Sequence, residues 1–281
     1  MNFSDVIGNE LVKKQLRKQV QDKRVSHAQL FHGPSGTGKL PMAIAFAKYL
    51  LCTGPRQEDA CGTCASCSKA EKLIHPDLHF TYPVIKTGNN PPVSTDFIKT
   101  FRQEFLQNPY LSIEDWLQAL TSENKQGNIT ANECYDIIRK LSLKAFEGEF
   151  KVLVLWGAEF LGKMGNILLK LIEEPPANTI ILLIADDKDK VLNTILSRTQ
   201  LVHFKRLSFE EIAQGLVKAE MAGSTEASAV AQLADGNFNE ARKIFKEKAE
   251  DHVTDFRMWL RLCFGKDIKG LLEWTEDIAK T

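Results

Sequence analysis

Gly33, Pro34, Ser35, Gly36, Thr37, Gly38 and Lys39 follow a strand-like run and open a helical one, the setting that a phosphate-binding loop requires. Backbone N–H groups of such a turn, together with the amino-terminus of the following helix, cradle anionic oxygens, and Lys39 would reach the terminal phosphates of a triphosphate. Leu40 breaks the pattern. A hydroxyl at that position ligates the Mg²⁺ that bridges the β- and γ-phosphates, and leucine has no lone pair to offer a hard cation. Magnesium is therefore not expected here, metal-dependent hydrolysis should fail, and ATP binding stays an open question.

A second test lies on the next buried strand, where phosphate-loop ATPases carry acidic residues that hold Mg²⁺ and polarise the attacking water. The run Lys151–Trp156 (KVLVLW) continues into Gly157, Ala158 and Glu159. Trp156 and Gly157 stand where the acids belong. Glu159 comes two residues late, on a different strand face or already in the turn.

Four cysteines, Cys52, Cys61, Cys64 and Cys67, crowd into 16 residues. In a reducing compartment such crowding points to metal ligation over disulfides. Four soft thiolates suit a closed tetrahedral Zn²⁺ site with bonds of about 2.3 Å, structural because no position is left open for substrate. An iron–sulfur cluster fits less well, since the fourth cysteine lies upstream and no Cys-Pro follows. His75 is expected to pack beside Pro76, and Cys134 and Cys263 are expected as small buried hydrophobes.

Elements that could position these groups are legible from periodicity. Leu11 to Val20 reads as a helix, Ala28 to His32 as a short strand, and about Pro41 to Cys52 as a helix with an apolar face. The stretch from Pro83 to Pro92 is loop material. From Asp96 to Leu120 the aromatics Phe97, Phe101, Phe105 and Trp116 recur at mostly helical spacing, as core packing of a helical insert and not a base-stacking platform. Val152 to Trp156 and Ile180 to Ile184 have the character of fully buried parallel strands. Asn132 to Leu143 and Met164 to Ile172 supply helices, the second stopped by Pro175 and Pro176. Strands alternating with helices imply an α/β fold with a doubly wound parallel sheet flanked by helices. Past Phe204 only helical patterns remain, at Phe209 to Ala219, Glu226 to Leu233, Phe238 to Lys248 and Val253 to Ala279.

Lys plus Arg and Asp plus Glu both total 36, so no global basic field draws the chain to nucleic acid. A zinc-ribbon protein binding DNA by itself would need cations around the thiolates, and only Arg56, Lys69 and Lys72 qualify. No apolar run reaches the roughly 18 residues that span a bilayer, and no leader-like segment opens the chain, so a cytoplasmic, membrane-free protein is expected.

FSDVIGN (Phe3 to Asn9), SHAQLFHGPSGTGK (Ser26 to Lys39), the cysteine cluster and ILSRT (Ile195 to Thr199) together resemble, in that order, the AAA+ subunits of bacterial clamp loaders over about residues 1–245. Within them the chain is most similar to the delta-prime subunits of DNA polymerase III, stators whose phosphate loop and acidic motif are degenerate. The resemblance implies an AAA+ P-loop domain over 1–204, carrying a zinc module at 52–67 and an insert at about 80–130. A helical lid at 205–248 follows, then the beginning of a helical collar at 249–281, too short to be whole and read as truncated. It implies a non-hydrolysing stator that helps load the sliding clamp onto primed DNA in company with gamma/tau and delta subunits. The rival within the same resemblance is an active motor subunit of the gamma/tau kind. In the family a Ser-Arg-Cys motif supplies an arginine finger in trans, and here Ser197, Arg198 and Thr199 stand in its place. A further family arginine, within Gly-x-x-Arg-x-Ala, senses nucleotide from the lid; this chain has Asn239 there, with Arg242 expected on a different face about 300° further round the helix.

Overall fold

The computed structural model describes residues 1–281 except 55–56, 87–91, 122–125, 220, 250–251, 266–267 and 279–281. Arg56 and much of the Pro83 to Pro92 stretch therefore lie outside the described residues. Five strands, β1 (Ala28–His32), β2 (Leu78–Thr81), β3 (Lys151–Trp156), β4 (Thr179–Ala185) and β5 (Gln200–His203), form one parallel sheet in the order β2-β3-β4-β1-β5. Every residue of β3 and β4 is buried, because helices cover both faces, and this explains their uninterrupted apolar runs.

Alternate side chains serve two cores. Phe31, Val152, Val154, Ile180, Leu182 and Val202 point to the face covered by α1 (Glu10–Gln21) and α2 (Lys39–Leu51). Leu30, Leu153, Leu155, Ile181 and Leu183 point to the other face, under α6 (Ala131–Ser142), α7 (Leu169–Glu173) and α8 (Asn193–Leu196). The helix α2 is buried at all its positions, as its all-round apolar sequence requires. The sheet covers one side of it, and α1, the amino-terminal turn at Phe3 and α3 (Ala65–Glu71) with the cysteine module pack on the rest.

The insert is built on α4 (Ile98–Gln107) and α5 (Ile113–Leu120) and anchored through its aromatic side chains. The Tyr82 and Phe101 rings stack at 4.4 Å, Trp116 meets Tyr82 edge-on at 4.8 Å, and the Trp116 Nε1–H donates to the Pro83 carbonyl. Phe101, Phe105 and Trp116 are essentially inaccessible, so they are core and not a surface on which bases could stack. A capping box starts α5, with the Asp115 N–H donating to Ser112 Oγ and the Ser112 N–H to Asp115 Oδ2.

After β5 the chain is helical: α9 (Phe209–Lys218), α10 (Ser224–Leu233) and α11 (Phe238–Ala249) enclose a small core of Ile212, Leu216, Ala227, Val230 and Phe238. Two more helices follow, α12 (His252–Phe264) and α13 (Ile268–Ile278). Cys134 is buried as expected, but Cys263 is exposed.

Several short elements escaped the periodicity reading, α8 among them. β2 and β5 have only four residues each, and β5 lies at the sheet's edge with three of its four side chains exposed, so neither carries a long apolar run. α3 begins inside the cysteine cluster, with Cys64 as its N-cap. The helix expected from Met164 to Ile172 is 3-10 as far as Leu168, within a segment Ala158–Leu168 that Gly162 interrupts at φ 46°, and becomes α-helical only in the short α7. No helix among the described residues is long and apolar enough to cross a membrane.

Candidate functional site

The phosphate loop occupies the turn between β1 and α2, at the carboxyl edge of the sheet where parallel α/β folds bind ligands. Gly38 has φ 89°, a left-handed conformation that lets α2 start directly behind the loop. Gly33, Pro34, Ser35, Gly36, Thr37, Gly38 and Lys39 thus have the placement expected of them, but they are turned to partners within the chain. Lys39 is only 5% exposed. Its ammonium donates to the Gly33 and Pro34 carbonyls and sits 2.9 Å from Asp186 Oδ1. Burial pushes the Lys39 pKa down, with the Asp186 carboxylate opposing that shift. On the outer side of the loop, Gly36 accepts a hydrogen bond from the Phe238 N–H of the lid. Leu40 is buried, facing the same core as the rest of α2.

Trp156 ends β3 with its ring 6.2 Å from Phe101, wedged into the aromatic core of the insert. The position where a catalytic acid would stand has become a packing position. Glu159 lies in the turn beyond, where its Oε1 accepts the Asp186 N–H at 3.0 Å. Burial raises the Glu159 pKa, opposed by that backbone hydrogen bond. Two carboxylates, Asp186 and Glu159, thus stand near Lys39 although Trp156 and Gly157 fill the positions where the acidic pair belongs. One oxygen of each has a partner, Asp186 Oδ1 the Lys39 ammonium and Glu159 Oε1 the Asp186 N–H, while Glu159 Oε2 is buried without a hydrogen-bond partner.

Sequence reasoning missed Asp186. The signal was present, since Asp186 follows a buried run and so must stand at the carboxyl end of a strand; what could not be read is that β4 lies next to β1.

Arg198 lies just before β5, at the amino-terminal edge of the sheet, whereas the phosphate loop lies at the carboxyl edge. β1 and β5 are parallel, with Gln29 opposite Gln200 and His32 opposite His203, so the length of a strand separates this arginine from the chain's own loop. The guanidinium is partly exposed, pairs with Glu173 and donates to the Thr194 carbonyl at 3.0 Å. Any nucleotide that Arg198 serves must belong to another molecule.

The sulfur atoms of Cys52, Cys61, Cys64 and Cys67 all lie within 4.8 Å of one another, on a loop braced by α2 and α3. The Cys61 and Cys67 sulfurs are 3.9 Å apart, close to the spacing across a tetrahedron with bonds of about 2.3 Å. N–H groups of Cys61, Cys64 and Cys67 point at the sulfurs of Cys52, Cys61 and Cys64 in turn. Those from Thr63 and Cys64 lower the Cys61 pKa to about 5. Burial raises the Cys52 and Cys67 thiols, a cost that a divalent cation between them would remove. The donor set fits a closed zinc centre. His75 is no ligand: its Nδ1 accepts the Asp77 N–H at 3.1 Å and its Nε2 faces Glu147.

The lid residues beside the loop hold the insert. Asn239 accepts a hydrogen bond from Asn108 Nδ2 at 2.7 Å and donates to Asp115 Oδ2 at 2.6 Å. Arg242 reaches the same flank and donates to the Gln107 carbonyl, because a rotation of about 300° falls only about 60° short of a full turn.

Residues 8–208 match the family model described as DNA polymerase III, delta subunit. The chain is 28% identical over 283 aligned residues to DNA polymerase III subunit tau of Bacillus subtilis, an alignment covering 96% of this chain and 43% of that protein. It is 29% identical to DNA polymerase III subunit delta' of the same bacterium, over 76% of this chain and 53% of the relative. The chain therefore spans about half or less of the length of these curated relatives. Among solved structures, the Thermotoga maritima RuvB Holliday junction branch migration motor superposes with a TM-score of 0.51 at 15% identity, covering 98% of this chain and 71% of that one, a likeness of fold alone. With a family match over residues 8–208, on a parallel sheet whose loop lies between β1 and α2, this chain belongs to the DNA polymerase III delta subunit family.

Proposed function

We propose that the chain is a non-hydrolysing stator of a clamp loader, of the delta-prime kind, which supplies Arg198 to the nucleotide site of a neighbouring subunit. The observation that carries this reading is the state of its own phosphate loop. Lys39, which should meet phosphate, is buried on two carbonyls and Asp186, with Leu40 where a metal-ligating hydroxyl belongs and Trp156 where an acid belongs.

On this reading, residues 1–204 are the AAA+ domain, 205–248 the lid and 249–281 the beginning of a collar. The zinc held by Cys52, Cys61, Cys64 and Cys67 stiffens the face of the first. The partners are the gamma/tau and delta subunits, the sliding clamp and primed DNA within the assembly, in the cytoplasm. When bound, the zinc supplies cross-linking and no chemistry, because four protein ligands leave no open position.

The likeness to the tau subunit favours one rival, an active motor. Magnesium-dependent phosphate release by the isolated chain separates the two readings. The stator gives background release only; turnover of about 1 s⁻¹ or more, ordinary for an enzyme, would establish the motor.

A further inference from the structure

We infer that the segment from Asn108 to Ser112, between α4 and α5 of the insert, is a built-in occupant of the nucleotide cleft that excludes nucleotide and clamps the lid onto the ATPase core in its place. The cleft is the space that a phosphate loop, the chain's amino-terminal segment and the lid enclose between them, and this segment reaches all three. Tyr110 fills it: its hydroxyl oxygen accepts the Ile7 N–H at 2.7 Å, and its ring meets Phe238 of the lid edge-on at 4.7 Å. A Cβ placed on Gly38 of the phosphate loop would meet the same ring at 3.2 Å. Tyr110 and Leu111 are each only 6% exposed.

What remains between Gly36, Lys39, Tyr110, Leu111 and Asp186 is a cavity of about 20 Å³. A space of that size holds about one water molecule, so no nucleoside fits between Tyr110 and the loop; a separate opening of about 780 Å³, lined by Ser35, Ser112, Glu159 and Asp186, lies beside it.

Each end of the segment is tied to the lid. Asn108 and Asp115 bracket Asn239 by hydrogen bonds of 2.7 and 2.6 Å, Lys243 pairs with Asp115 at 2.5 Å, and Arg242 holds the Gln107 carbonyl. Asn239 is 2% exposed, so its two amide hydrogen bonds are made away from water, where leaving either unmade is costly. A bound nucleotide would order lid against core through contacts to both; here a covalently attached segment makes those contacts permanently. The core–lid angle is then fixed and does not follow a nucleotide cycle.

This inference deepens the stator reading and rests on it for its meaning, but the two are measured differently, one by binding and the other by phosphate release. The test is fluorescence anisotropy of N-methylanthraniloyl-ADP and -ATP on the full chain, with hydrogen exchange of the peptide covering Asn108–Ser112 followed with and without ATP. The wild-type chain should show no saturable binding up to about 1 mM, the weak limit of useful affinity, and ATP should leave the exchange unchanged. Tyr110→Ala, and separately Asn239→Ala, should open the cleft and give at least tenfold tighter binding, still without phosphate release.

Saturable binding by the wild type overturns the inference; if no phosphate is released, the stator reading survives it. Folded variants, verified by circular dichroism, that bind no better than wild type also overturn it, because the segment would then not be what keeps nucleotide out. Should Tyr110→Ala fail to fold, Asn239→Ala and the wild-type exchange decide the matter.

Discussion

Replacing Arg198 with alanine is expected to slow ATP hydrolysis at the neighbouring site it serves by a factor of about 10³ to 10⁵, the range over which arginine fingers act. The loss would be read in a reconstituted complex with a motor subunit. Sites that take their fingers from other subunits should keep their rate, so total turnover falls by the share of the affected site. The pair with Glu173 does not stand in the way of this role. Both partners are partly exposed, and a surface ion pair contributes about 0–1 kcal/mol. Stabilising the transferring phosphoryl group is worth far more, so Arg198 can leave Glu173 at little cost. Arg198→Lys should recover only part of the rate, because an ammonium keeps the charge but not the planar fork that meets two oxygens at once. Unchanged turnover in the alanine variant would remove the finger assignment while leaving the fold untouched.

Stripping the metal, or changing Cys64 to serine, should be the most damaging alteration to stability. Structural zinc sites contribute about 10–16 kcal/mol of apparent binding free energy in small zinc-finger peptides, more than the roughly 5–15 kcal/mol by which a domain is stable. The module is not peripheral to the fold. Cys67, Ala60 and Ala70 belong to the same buried core as α2, and Ser66 Oγ donates to the Leu51 carbonyl at 2.6 Å at the end of that helix. Loss of the ion should therefore loosen residues 52–71 and expose one side of α2. Elemental analysis should find one zinc per chain, and a strong chelator should lower the thermal midpoint and open the module to proteolysis. A visible absorption band with bound iron would instead identify a cluster, and a chain whose stability ignores both chelator and Cys64→Ser would have no structural metal there.

Much of this was legible from residue types. The strand-turn-helix around Lys39, the buried strands and the cysteine spacing each depend on local pattern, and local pattern survives folding. What could not be read depends on neighbours distant in sequence. Asp186 meets Lys39 only because β4 lies next to β1, an adjacency that periodicity does not contain. Tyr110 falls outside the aromatic spacing of Phe97, Phe101, Phe105 and Trp116, and only the placement of the insert over the phosphate loop sets it between Ile7 and Phe238. The same placement explains Trp156 and Asn239. Read from sequence they are departures from a catalytic pattern, while in the structure both are contacts that hold the insert. At both positions a residue that departs from the catalytic pattern serves as an internal anchor.

As the proposed stator, the chain would serve a neighbour's nucleotide and keep none of its own. A structure of the assembled complex, prepared with magnesium, ADP and aluminium fluoride, tests this proposal most directly. The account requires Arg198 released from Glu173 and hydrogen-bonded to the fluoride in the adjoining site, with Tyr110 still seated between Ile7 and Phe238. Magnesium and nucleotide lying against Lys39, with Tyr110 displaced, would contradict it.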